Sequence, residues 1–255
     1  MLILLPPSEG KTPAPGGAPV DLSALSFPSL EVARKQVMES LAEVSGRHDA
    51  LDVLGVGASL ADDVDRNRRL HAEPAAPAHR VYSGVLYEAL DYASLTPAQR
   101  RKADAAIVVV SALWGAVGFA DLVPAYRLSM ATALPGLGRL ASFWKPLLAE
   151  ALEERASDGL IVDCRSSTYA AAYAPPPART VTVDVLTERN GKRTVVSHFA
   201  KHHRGEFVRH LLTRRGRTPG TPQALLAAAR ERWNAELREG STGRKPASLA
   251  LILEG

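Results

Sequence analysis

The feature that most constrains this chain is the run Ile107-Val108-Val109-Val110, four β-branched residues in succession with no charge among them. Stiff β-branched side chains suit a pleated surface, and an unbroken apolar run, in place of alternation, marks a short strand covered on both faces. Directly after it come Ser111, Trp114-Gly115, Gly118, Asp121 and Pro124-Ala125-Tyr126-Arg127. Open α/β sheets bind ligands at the carboxyl ends of such strands. Ser111, Tyr126 and Arg127 are therefore candidate pocket residues, against a plainer reading in which Trp114 fills the core.

Other segments fit the same plan. Leu2 to Leu5 reads as an opening strand ended by Pro6-Pro7, and the polar turn that follows places Ser8 and Lys11 at a pocket wall. Its Gly-Lys-Thr lacks the leading glycine and spacing of a nucleotide-binding loop, so that motif is rejected. Leu160 to Cys164 reads as a second buried strand, with Ser166 and Tyr169 just past its end. Thr180 to Leu186 and Thr194 to Phe199 are strand-like runs around Asn190-Gly191, a common hairpin turn. Ser248 to Leu253 closes the series. Helical spacing covers Ser29 to Ser45 with Ser29 as N-cap, Tyr82 to Leu90, Thr96 to Lys102, Leu140 to Arg155, Lys201 to Arg214 and Leu225 to Leu237. The order of elements suggests an α/β (α+β) body with its sheet flanked by helices in a single domain over 1–255, with a helical insertion at 29–70.

Within that insertion, Leu54-Gly55-Val56-Gly57 joins two short helices, the second running to about Leu70. Apolar-Gly-apolar-Gly is the signature of a helix-hairpin-helix. Gly55 and Gly57 let the backbone come close to a phosphate, whose oxygens then accept hydrogen bonds from bare amides. Such contacts hold duplex DNA without reading its sequence. Asp62, Asp63 and Asp65 follow the turn before Arg66, Arg68 and Arg69, and a Gly-x-Gly turn also joins helices that never touch DNA.

Net charge is only +4, but its distribution is uneven. From Glu188 to Arg217 nine basic residues, including Lys201, Arg204 and Arg209, stand against two acids. That imbalance points to a phosphate-bearing partner, with a solvated basic helix as the alternative. A single cysteine, Cys164, excludes a disulfide framework and a cysteine-rich metal site. His198, His202 and His203 have no carboxylate at a supporting spacing, so no metal and no cofactor is expected. No apolar run approaches the ~20 residues of a membrane span; a cytoplasmic location is expected.

With these pieces in place the chain resembles the YaaA family, named for a bacterial peroxide stress protein. The matching stretches are LILLPPSEGKT, VYSGVLYEAL, SALWGAVGFADLVPAYRLSM, Phe143-Trp144, DCRSSTY and SHFAKHHRGEFVRHLL, in the family's order. The chain departs at its start, where Pro-Pro-Ser-Glu-Gly-Lys stands in place of Ser-Pro-Ala-Lys. The resemblance implies a mixed-sheet α/β fold of unusual topology with a helix-hairpin-helix, DNA binding, and protection against peroxide by limiting unincorporated iron. No reaction is implied.

Two function classes follow. One is a DNA-binding stress protein that grips phosphates with Gly55, Gly57, Lys201, Arg204 and Arg209. The other is an enzyme acting on a nucleotide-like or other anionic small molecule in a crevice of Ser8, Lys11, Ser111, Tyr126, Arg127, Ser166, Tyr169, Lys201 and Arg204. Arg suits bidentate recognition of phosphate or carboxylate and Lys serves as a point charge. No set of nucleophile, base and orienting group is readable.

Overall fold

The computed structural model describes residues 1–189, 192–195, 199–240 and 245–254. The expected Asn190-Gly191 turn and His198 lie outside the described residues. Eight strands form one sheet: β1 (Leu2–Leu5), β2 (Ile107–Ser111), β3 (Gly115–Gly118), β4 (Ile161–Asp163), β5 (Thr180–Arg189), β6 (Lys192–Val195), β7 (Asn234–Arg238) and β8 (Ala247–Glu254). Their spatial order is β7-β8-β5-β4-β1-β2-β3, with β6 paired to β5. Neighbours from β8 through β2 run parallel, while β7, β3 and β6 are antiparallel to their partners. The sheet is mixed, as the family resemblance implies.

Burial follows the apolar runs. β1, β2 and β4 are buried along their whole lengths, which removes alternation from their sequences. β5 pairs with β4 through Thr180–Thr182 and with β6 through Leu186–Arg189. Because β8 follows the opposite edge of β5 from Val181 to Glu188, β4 and β6 share one edge. β4 is therefore short, and the chain leaving it turns out of the sheet beside the end of β1.

Helix boundaries differ from expectation where tertiary contacts override local preference. The first long helix is Glu31–Ser45; Ser29 lies inside a preceding 3-10 turn and does not cap it. Its apolar stripe Leu30, Ala33, Val37, Leu41 and Val44 is buried as the spacing predicts. The Leu140–Ala151 helix buries Leu140, Trp144 and Leu148, and the Trp144 indole donates to Ala112 O at 2.8 Å, so this tryptophan belongs to the core. The expected helix Leu225 to Leu237 stops at Ala229, and Asn234–Arg238 is the edge strand β7. Its residues Ala, Glu, Leu and Arg favour helix in isolation, but pairing with Ser248–Ile252 decides. Gly115–Gly118, expected within a loop, is the second arm of a hairpin with β2.

Two buried polar side chains tie the 29–70 segment to the rest of the chain. Arg34, fully buried, donates to Ser26 O (2.6 Å), Ala116 O (2.8 Å) and Trp114 O (3.1 Å), which fastens the first helix to the β2–β3 hairpin. Burial lowers its pKa to about 10. Asn67, also fully buried, exchanges two 2.9 Å hydrogen bonds with the backbone of Arg127.

Candidate functional site

Past the carboxyl ends of β1 and β4 the surface opens into a cleft of about 580 Å³, a size that suits a small ligand or one nucleotide. Its walls include Ser8, Glu9 and Gly10 after β1, and Ser166, Thr168 and Tyr169 after β4. Arg127 to Ser129, the Ser83–Tyr87 segment, Leu54 to Val56 and Lys201 complete it. Five of the expected pocket residues, Ser8, Arg127, Ser166, Tyr169 and Lys201, thus meet in one cavity with Gly55.

Each wall has a local reason. Pro6-Pro7 ends β1, and the turn is then held by Ser8 Oγ, which donates to Gly10 O and accepts from Ser83 N at 2.9 Å. Tyr87 Oη donates to Pro6 O at 2.7 Å, so the Val85–Leu90 helix is locked to the same turn. Arg127 donates to Glu9 O at 3.0 Å, and its guanidinium lies 3.9 Å from the exposed Glu9 carboxylate. Lys201 is exposed in the first turn of the Ala200–Thr213 helix, and its ammonium has no partner among the described residues. That helix comes close to the cleft wall because of Gly205: a Cβ there would stand 2.1 Å from Leu86 O.

Lys11, Ser111 and Tyr126 are not on the wall; they form a layer next to it. The Lys11 ammonium donates to Ser8 O (2.8 Å) and Glu9 O (3.2 Å) and lies 4.2 Å from the centre of the Tyr126 ring. Burial first, and then the charge of Arg127, lower its pKa to about 7. Ser111 Oγ accepts from the Leu113 and Trp114 amides and is 2.7 Å from Tyr126 Oη, which is 3.3 Å from Tyr82 Oη. With both lone pairs used, the Ser111 hydroxyl donates to Tyr126. Burial raises the pKa values of Tyr82 and Tyr126 and takes that of Tyr169 to about 12, so these phenols stay neutral.

Arg204 and Arg209 are placed elsewhere. Arg204 donates to Val183 O at 2.9 Å, fastening its helix to β5. Arg209 donates to Leu90 O, Asp91 O and Ser94 Oγ, closing the end of the Val85–Leu90 helix. The basic run is further tempered by ion pairs, one with its own acid and two with acids from outside it: Arg193 pairs with Glu188 and Glu236, and Arg214 with Glu231. His202 and His203 both face Glu206. Burial raises the Cys164 pKa to about 12, which leaves a thiol and not a thiolate at neutral pH.

The Gly55–Gly57 turn is exposed and lies between short helices, Ala50–Leu54 and Ala61–Arg66, with a 3-10 turn at Ala58–Leu60. Gly55 has φ 64°, the left-handed region. The amides of Gly57, Ala58 and Ser59 donate to no backbone carbonyl among the described residues. Arg66, Arg68 and Arg69 are engaged by Asp63, Asp65 and Glu73, so the positive charge of this segment is neutralised within it.

Sequence reasoning missed Asn67, Ser83 and Thr168. Ser83 and Thr168 both stood inside quoted stretches, Ser83 read only as part of a helix and Thr168 given no role. Asn67 gives no signal, because its partner is 60 residues away.

Fold and cleft define an α/β protein with a cavity at strand carboxyl ends. A family model described as peroxide stress protein YaaA matches residues 1–236. The chain is 44% identical over 259 residues to the UPF0246 protein SCO2297 of Streptomyces coelicolor, covering 99% of this chain and 98% of that one. It is 43% identical to the UPF0246 protein CE1889 of Corynebacterium efficiens, with 84% and 85% covered. A UPF0246 protein of Dinoroseobacter shibae is 32% identical over 74% and 72% of the two chains. The chain belongs to the YaaA (UPF0246) family of peroxide stress proteins. No helix among the described residues is long and apolar enough to cross a membrane.

Proposed function

We propose that this protein binds DNA through its phosphate backbone, and that its part in peroxide defence is exercised there by limiting iron-dependent damage. The observation that carries the reading is the meeting of Lys201, Arg127 and the bare Gly55 turn in one cleft. Lys201 has no partner to give up among the described residues, Arg127 presents a fork suited to phosphate oxygens, and the turn admits a phosphate without a Cβ in the way. Contact on the Gly55 side falls to backbone amides, since the neighbouring arginines already hold carboxylates.

The size and enclosure of the cleft favour a second reading, an enzyme or binding protein for a nucleotide-like anion held by Arg127, Ser166 and Lys201. A duplex titration at two salt concentrations separates the two. Neutralising phosphates releases counterions, so affinity for DNA falls steeply with salt. Absence of duplex binding at low salt, together with saturable binding of a mononucleotide that Arg127→Ala abolishes, would select the small-molecule reading.

A further inference from the structure

A second cavity of about 690 Å³ borders the cleft, and Ser83 and Tyr87 line both. Its basic lining groups are His79, Arg80 and Arg100. The His79 imidazole stacks on Tyr92 at 3.8 Å, with Phe119 at 5.8 Å, and the Arg100 guanidinium lies 5.6 Å from the centre of the Tyr92 ring. Tyr92 Oη is 3.0 Å from both Asp104 oxygens, which fixes the ring.

What makes this a site is the state of its cations. Arg100 donates to Ala93 O, but its Nε is buried with no hydrogen-bond partner. Arg80 is exposed and makes no ion pair or side-chain hydrogen bond among the described residues. The acids nearby are turned to other partners: Asp104 to Tyr92, and Asp91 to Arg209 at 3.5 Å. Of the acids on the lining, Glu88 is the one without a partner among the described residues. Arg80 and Arg100 thus share one lining, and neither is ion-paired to a carboxylate among the described residues, so an anion in this cavity would meet two uncompensated guanidinium charges.

We infer that the cavity is a second phosphate subsite, in which Arg80 and Arg100 take a backbone phosphate of the same DNA strand that enters the main cleft. This rests on the reading of the cleft as a DNA site, and adds to it the path of the strand: past Ser83 and Tyr87, over the His79–Tyr92 shelf. Arg80 supplies an exposed charge and Arg100 a half-buried fork held by Ala93 O. Neither contacts the Gly55 turn or Lys201, so the subsite is separable from the cleft.

The test is a duplex titration across salt with the full chain, comparing Arg80→Gln, Arg100→Gln, Glu88→Gln and Lys201→Gln. Losing one phosphate contact lowers the salt slope by about 1. Arg80→Gln and Arg100→Gln are expected to weaken binding several-fold and each to lower the slope by about that amount; Glu88→Gln is expected to tighten binding. Arg80 makes no ion pair or side-chain hydrogen bond among the described residues, so its variant keeps the test valid if Arg100→Gln fails to fold. If Lys201→Gln weakens binding while Arg80→Gln leaves affinity and slope unchanged, the subsite is refuted and the cleft reading stands. If the unmodified protein binds no duplex, the cleft reading itself fails. If duplex binding ignores Arg80 while inorganic phosphate binds in an Arg80-dependent way, the site takes free anions and the strand path is refuted.

Discussion

Asn67 holds Arg127 as a neighbouring strand would: its Oδ1 accepts from Arg127 N and its Nδ2 donates to Arg127 O, each at 2.9 Å. One fully buried amide thus positions the backbone of the cleft's arginine and ties the 29–70 segment to it. Asn67→Ala leaves both groups without their partner, which costs about 2 kcal/mol. The expected outcome is a lower urea midpoint together with weaker anion binding per folded molecule. Unchanged affinity in the folded variant would mean that the pair serves stability alone.

The two glycines of the turn make opposite predictions. At Gly57 a Cβ meets nothing within 4 Å and φ is −78°, so Gly57→Ala should fold with unchanged stability. It should nevertheless bind duplex more weakly if a phosphate approaches the bare backbone. At Gly55, φ 64° places alanine in the left-handed region, costing roughly 1–2 kcal/mol. Thermal melts and duplex titrations on both variants check the pair.

Gly205 is a packing requirement. With a Cβ placed 2.1 Å from Leu86 O, Gly205→Ala must push apart the helix carrying Lys201 and the helix lining the cleft. Overpacking of this kind costs about 3 kcal/mol, read as a drop in denaturation midpoint. A midpoint equal to that of the unmodified chain would show the two helices to be free to separate.

Lys11 gives stability a definite pH dependence. Its pKa falls from an ordinary 10.5 to about 7 in the folded chain. Between those values the unfolded chain holds the extra proton, so stability rises with pH; below about 7 both states are protonated and the burial penalty is fully present. Lys11→Met removes this rise. The difference in urea midpoint between the variant and the parent should therefore shrink from about pH 6 to about pH 9. A difference that stays constant would place the Lys11 pKa near its ordinary value.

The sheet was readable where burial leaves a local trace: Ile107 to Val110 and Leu2 to Leu5 are apolar runs because both their faces are covered. β7 was not, because Asn234–Arg238 owes its strand form to β8 and not to its own residue preferences. The same limit applies to the site. Ser8, Arg127, Ser166, Tyr169 and Lys201 follow strands or open a helix, so topology alone brings them near one another. Charge counting pointed equally to Arg204 and Arg209, yet their guanidiniums end on carbonyls of Val183 and Leu90. Arg34 and Asn67 act across 60 to 82 residues of chain, a distance over which no spacing rule applies.

The central claim is that the cleft, and not the basic run as a whole, receives the phosphate. Lys201 and Arg217 lie on and just past opposite ends of the Ala200–Thr213 helix, roughly 20 Å apart, and neither side chain has an internal partner among the described residues. Duplex titrations of Lys201→Gln and Arg217→Gln at one low salt concentration compare them directly. The account predicts a marked loss of affinity for Lys201→Gln and none for Arg217→Gln. Equal losses, or a loss confined to Arg217→Gln, would contradict it.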